Sequence, residues 1–130
     1  MKKLRILIID DEIAALAKMQ IMLSPFGECE LADCGKQALD MIKKSVMNNN
    51  YYDLITIDIE LPDINGIELL DMIKAYEKQF SATSIKFIVS ASGTTENVIN
   101  ALARNCNDFL VKPVKKDVLK EKLLKWRLIR

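Results

Sequence analysis

Hydrophobic positions along the chain follow two alternating patterns. Leu4–Ile9 is a short run dominated by Leu and Ile and predicts a strand. From Glu12 to Leu23, apolar residues recur at helical spacing (Ile13, Leu16, Ala17, Ile21), which predicts a helix with that stripe inward. A weaker strand over about Glu28–Ala32 precedes a helix from Gly35 to Val46, whose Ala38, Leu39, Ile42 and Val46 share a face; polar Asn48–Asn50 closes it. The alternation continues with strands at Leu54–Ile57, Ile85–Val89 and Phe109–Val111. Helices are expected at Gly66–Lys78, Thr95–Arg104 and Lys115–Arg130.

Five strands alternating with five helices imply an α/β fold, with a parallel sheet, right-handed crossovers and helices on both faces. The strands agree, because Ile6–Ile9, Leu54–Ile57 and Phe87–Val89 are nearly continuous apolar runs, as strands covered on both sides should be. Ligands of such sheets bind outside the carboxyl ends of the strands. Asp10, Asp11 and Glu12 follow the first strand, Asp58 the third, Ser90 the fourth, and Lys112-Pro113 the fifth. Each has a plain explanation alone: Asp10 or Asp11 as a cap of the first helix, Ser90 and Lys112 as surface residues. Asp58 is harder to dismiss, since an unpaired carboxylate at the centre of the sheet is costly.

Composition narrows the chemistry. At about 150 residues per domain, 130 residues make one domain with one core. Half the residues are hydrophobic and 28% charged, too apolar for disorder. No apolar run approaches a membrane span, and Asp10-Asp11-Glu12 follows the start too closely for a secretory segment. Cys29, Cys34 and Cys106 have no metal-ligand spacing and read as reduced thiols of a cytoplasmic protein. There is no histidine, which excludes Ser-His-Asp and Cys-His catalysis, His-ligated zinc or haem, and an imidazole base. The formal charge of +1 predicts no general attraction to nucleic acid. It hides a gradient: residues 115–130 carry seven Lys or Arg against two acids, and residues 1–114 twelve against sixteen.

Brought together at the strand ends, the acids repel and need a cation. An all-oxygen site suits Mg²⁺, with Mn²⁺ as a substitute, and either takes phosphate oxygens as further ligands. A carboxylate there can attack phosphorus to give an aspartyl phosphate, with a lysine and a hydroxyl on the phosphoryl oxygens. An ionised Asp nucleophile needs no histidine base.

With these elements in order, the chain resembles the receiver domain of bacterial two-component response regulators over about residues 4–127. The residues that carry the resemblance are Ile8-Ile9-Asp10-Asp11-Glu12, Asp58-Ile59-Glu60-Leu61-Pro62-Asp63-Ile64-Asn65-Gly66, Ser90-Ala91 and Lys112-Pro113. The resemblance implies a flavodoxin-like (β/α)5 fold with strand order 2-1-3-4-5. It implies Asp58 as phosphoacceptor, and Asp10, Asp11, Asp58 and the backbone carbonyl of Glu60 around the metal. Lys112 would pair with Asp58 and then with the phosphoryl group, Ser90 would turn toward that group, and the Lys112–Pro113 bond would be cis. Phe109 stands at the position of the switch aromatic. The implied donor is a phosphohistidine on a sensor histidine kinase or a histidine phosphotransfer protein. The implied output or homodimer surface is the face of the fourth helix, fifth strand and fifth helix. On this reading the chain is a phosphoacceptor signalling domain that assists its own phosphoryl transfer and dephosphorylation, rather than an enzyme.

Three features leave alternatives open. Glu60, two residues after Asp58, repels phosphate if its side chain points inward and does nothing if it points to solvent. Val114 follows Lys112-Pro113 where the family often has an aromatic residue, a packing change. The basic fifth helix either packs on the core with a solvated side, or its last turn, Trp126–Arg130, packs on a partner or an output domain beyond residue 130. It has no nucleic-acid reader motif. The rival readings are an aspartyl-phosphate-forming phosphohydrolase, for which the chain lacks a cap; a flavodoxin-like electron carrier, whose flavin phosphate Asp10-Asp11-Glu12 would repel; and a receiver-like interaction domain that is never phosphorylated.

Overall fold

The computed structural model describes residues 3–91 and 106–130. Five strands form one parallel sheet: β1 (Leu4–Ile9), β2 (Gly27–Ala32), β3 (Leu54–Asp58), β4 (Ile85–Ser90) and β5 (Asp108–Val111). Their spatial order is β2-β1-β3-β4-β5. Helices α1 (Ile13–Leu23), α2 (Gly35–Met47) and α3 (Gly66–Gln79) and a C-terminal helix (Lys116–Lys125) connect or follow them. The helix expected over 95–104 lies outside the described residues.

Register explains the unbroken apolar runs. In β1, Leu7 and Ile9 join a buried layer with Ala38, Ile42 and Val46 of α2 and Leu69, Leu70 and Ile73 of α3. Ile6 and Ile8, between them, face the opposite layer with Leu16, Met19 and Leu23 of α1 and Leu119 and Leu123 of the C-terminal helix. Both sides of the strand are therefore apolar, with period two hidden inside the run. Pairings of Ile9 with Ile57, Asp58 with Val89, and Ser90 with Val111 bring the carboxyl ends of four strands level.

Two expectations fail here. Of the stripe read for α1 only Leu16 is buried: Ile13 and Ile21 are 83% and 73% exposed and Ala17 is exposed, and the buried face is completed by Met19, Met22 and Leu23 instead. Alanines made two stripes look equivalent, and the side touching the sheet uses methionines. The last helix is also shorter than 115–130. It ends at Lys125, with Trp126 as its cap and Arg127 in the left-handed region at φ 57°. The Arg127 N–H donates to the Leu124 carbonyl at 3.0 Å and the Leu128 N–H to the Leu123 carbonyl at 2.9 Å. This closure is a Schellman motif, and it turns Leu128 and Ile129 back onto the α1-side core, which Trp126 also flanks. The last turn thus packs on its own chain.

A carboxylate unnoticed in the sequence holds that helix to the sheet. Asp108 opens β5, is 7% exposed, and accepts from Lys122 Nζ at 2.6 Å and Trp126 Nε1 at 2.9 Å, with Lys125 Nζ at 3.5 Å. Burial pushes its pKa up, but the bonds from Lys122 and Trp126 outweigh that and hold it below the ordinary value. Part of the basic surplus of the tail is therefore neutralised internally.

Asp108→Ala should cost about 2–4 kcal/mol, by leaving the Trp126 N–H and Lys122 without their buried acceptor. Urea unfolding followed by Trp126 fluorescence measures it. On α1, Leu16→Ala should cost about 2–4 kcal/mol, while Ile21→Ala should stay within about 0.5 kcal/mol. The same titration compares them, and equal losses would contradict the observed face.

Candidate functional site

The site is built where β1, β3, β4 and β5 end. Asp10 follows β1, is 4% exposed, and its N–H donates to the Ala32 carbonyl at 3.1 Å. Its Oδ1 accepts the Glu12 N–H at 3.0 Å, just before α1 begins. The capping role considered for Asp10 or Asp11 is thus not a side-chain cap of the ordinary kind: Glu12 is the N-cap residue and makes no side-chain cap bond. The carboxylates of Asp10, Asp11 and Glu12 lie within 4.8 Å of one another, Asp10 buried and the other two exposed.

Asp58 ends β3 and is also 4% exposed. Its Oδ1 accepts the Glu60 N–H at 3.3 Å. The next stretch is pinned at several points. The Gly66 N–H donates to the Ile59 carbonyl at 2.8 Å, and Glu60 forms a bridge with Asn65. Asn65 then caps α3 by accepting from the Ile67 N–H at 2.8 Å. A Cβ on Gly66 would lie 2.3 Å from the Asp58 carbonyl oxygen, so only glycine lets α3 start this close to Asp58. Asp63 fixes the far side of the loop, its two oxygens accepting the Gly35 and Lys36 N–H groups, each at 2.9 Å. Those backbone bonds at the start of α2 hold its pKa below the usual carboxylate range.

Lys112 approaches from β5. Its N–H donates to the Ser90 carbonyl at 2.8 Å, and the Lys112–Pro113 peptide bond is cis. Its Nζ lies 2.9 Å from Asp10 Oδ2 and 3.4 Å from Asp58 Oδ2, so it bridges both acids and is nearer to Asp10. Burial lowers the pKa of the ammonium, but the bond to Asp10 and the charge of Asp58 more than offset this and raise it. Asp58 is pushed up to about 6, first by burial and then by the charge of Asp10, with Lys112 acting against both. The Ser90 hydroxyl is buried and has no hydrogen-bond partner among the described residues. A cleft of about 300 Å³ opens over Asp58 and Lys112, lined also by Asp11, Glu12 and Glu60. The Glu60 side chain is exposed.

Phe109 stands apart from the cleft. Its half-buried ring packs against the α2–α3 layer, with Lys122 Nζ 4.9 Å from the ring centre. The structure thus brings Asp10, Asp11, Asp58, Glu60, Ser90 and Lys112 to one end of the sheet and leaves Phe109 three residues before Lys112, within β5. Sequence reasoning missed Asp63, whose partners lie 28 and 27 residues upstream, where no local spacing rule applies.

A family model described as response regulator receiver domain matches residues 6–124. This chain belongs to that family. The receiver domain is 33% identical over 122 residues to the chemotaxis protein CheY homolog of Campylobacter jejuni, covering 92% of this chain and 89% of that one. It is 31% identical to the transcriptional regulatory protein ZraR of Escherichia coli, of which the match spans only 25%. Among solved structures, a CheY-like response regulator receiver domain protein from Methanospirillum hungatei aligns with a TM-score of 0.78 and 30% identity, over 98% of this chain and 94% of that one. The fold is thus the CheY-like, flavodoxin-like one, and the general role of the receiver domain is in two-component signalling. Among the described residues no helix is long and apolar enough to cross a membrane.

Because folded Asp58 holds its proton up to about 6 against an ordinary 3.8, the folded state binds more protons between those values, and stability falls as pH rises through that window. In metal-free buffer, Asp58→Asn should therefore stabilise the domain by about 1–3 kcal/mol near pH 7. Urea titrations across pH should show that gain shrinking below pH 6 and vanishing near pH 4; a gain independent of pH would contradict the buried-charge origin.

Proposed function

We propose that the domain accepts a phosphoryl group on Asp58 from a phosphohistidine of a sensor histidine kinase or a histidine phosphotransfer protein. The observation that carries this reading is the buried Asp58 carboxylate, bridged by Lys112 to Asp10 and neighboured along the strand ends by a hydroxyl, Ser90 Oγ, with no partner among the described residues. The donors fit a hard divalent cation: they are all oxygen, the carboxylates of Asp10 and Asp11 converge together with that of Glu12, and the charge of Asp10 helps push Asp58 up. Asp10, Asp11, Asp58 and the backbone carbonyl of Glu60 would hold Mg²⁺ or Mn²⁺. When bound, the cation neutralises phosphoryl oxygens and lowers the repulsion between them and the acids.

Asp58 works as the ionised nucleophile. One of its oxygens forms the O–P bond as the P–N bond to the donor imidazole breaks, and the electron pair leaves with that nitrogen. Lys112, already within reach of Asp58, transfers its ammonium to a phosphoryl oxygen as a point charge. Ser90 donates its hydroxyl to another, which gives that buried group its partner. Phe109, on the edge strand β5 and flanked by Lys122, is the ring that responds when Ser90 turns. The output or homodimer surface is the face of the helix expected over 95–104, β5 and the C-terminal helix, on which Val111, Val118 and Leu124 are exposed. The residues form one domain, cytoplasmic in setting, whose output belongs to that face.

Incubation with acetyl phosphate and Mg²⁺, read by intact mass, tests the reading. The domain should gain one phosphoryl group, and the gain should disappear with EDTA and in Asp58→Asn. Lys112→Ala should slow labelling by about 10²-fold, as expected for removing one preorganised charge from a phosphoryl-transfer site. No gain at any Mg²⁺ concentration would favour a purely interacting domain, and release of phosphate from generic monoesters would favour a phosphohydrolase.

A further inference from the structure

A second cavity, of about 390 Å³, lies behind the acid cleft on the α1 side of the sheet, between α1 and the Lys112–Val114 turn. Protein interiors are close-packed, so an opening of this size reaching from the surface into a core layer leaves apolar side chains incompletely covered. Its walls are apolar: Ile8 from β1, Met19 and Met22 from α1, Val89 from β4, and Val114. Its volume falls within the range of about 300–1,000 Å³ typical of small-ligand sites, which are also mostly apolar with a few placed polar groups. Val114 is short for the space it faces, and the two methionines are side chains that reshape around what they contact.

The polar groups select the occupant. At the inner end Asp10 and Lys112 are committed to each other, so they offer little to a ligand. Thr56 contributes one hydroxyl from the sheet. A sugar or nucleotide would bury hydroxyls and phosphates against Ile, Met and Val with nothing to receive them. Lys18 lines the opening from the exposed side of α1 and takes part in none of the ion pairs among the described residues. A negative head at that ammonium stays hydrated while an apolar body fills the cavity, which avoids the cost of burying a charge.

We propose that this cavity binds a small amphiphilic carboxylic acid, its apolar body against Met19, Met22 and Val114 and its carboxylate at Lys18. The site is independent of the role of Asp58, because binding is read without metal or phosphoryl donor.

Octanoate is the probe, added to the whole 130-residue chain carrying ¹³C-methyl methionine. The Met19 and Met22 methyl signals should shift saturably at sub-millimolar to millimolar octanoate, while those of Met41, Met47 and Met72, which lie elsewhere, stay in place. Val114→Phe should fill the cavity and abolish the shifts; Ala15→Leu, from the opposite wall, should do the same if the first variant folds poorly. Lys18→Gln should weaken octanoate by about two- to fivefold, as for an exposed ion pair, and leave octanol unchanged. The proposal is overturned if no methyl moves up to the solubility limit, if Met47 or Met72 shifts as strongly as Met19 and Met22, or if both filled variants bind as the parent does. Octanol binding as tightly as octanoate, with no effect of Lys18→Gln, would overturn the choice of a carboxylate.

Discussion

Two carboxylates, Asp10 and Asp58, are buried side by side at the ends of neighbouring strands, and one ammonium, that of Lys112, reaches both. In water such acids would drift apart, and in a loosely packed protein they would too. They are held because β1 and β3 are bonded in register through four residue pairs, three of them wholly apolar, with helices on both faces. The rest of the site is arranged around that enforced proximity. The Asp58–Gly66 loop closes on its own backbone, Asp63 ties it to α2, and the Lys112 N–H is bonded to the end of β4. The electrostatics of the cleft come from charges that cannot move away from each other.

What the sequence revealed and what it concealed follow one division. The strand ends were legible because a parallel α/β order dictates which residues meet, so Asp10, Asp58, Ser90 and Lys112 could be grouped across about a hundred positions before any coordinates. The strand boundaries moved by a residue or so: Asp58 and Ser90 turned out to be the last residues of β3 and β4, and Asp108 the first of β5. The inward face of α1 was not legible, because Ala and Ile on one side and Leu and Met on the other satisfy the same spacing, and only contact with the sheet decides between them. The early end of the C-terminal helix was hidden because Arg127, a residue seldom found in the left-handed region, provides the stop that glycine usually marks.

The charge gradient also changes its meaning. A net +5 over residues 115–130 suggests a surface for acidic partners, yet Lys122 and Lys125 sit on Asp108, and Lys122 also covers the Phe109 ring. A run of like charge in one segment is balanced by a single acid from another, an arrangement visible only once β5 and the helix are adjacent. The same contacts tie the helix to the strand that carries Phe109, with Lys122 both over that ring and on Asp108.

β1 lies between β2 and β3, and its partners in β3 are more than forty residues away in the chain. During synthesis Leu4–Ile9 emerges before β3 and cannot be covered on that edge until residues 54–58 arrive. A fold dominated by such distant pairings forms slowly, and an uncovered apolar strand is a template for aggregation in the meantime. Lys2, Lys3 and Arg5 precede or enter this segment and Asp10, Asp11 and Glu12 follow it. Flanking charges of this kind keep an exposed strand from pairing with its neighbours. The acids that crowd the finished cleft therefore also stand where charge blunts the apolar strand before there is any cleft to line.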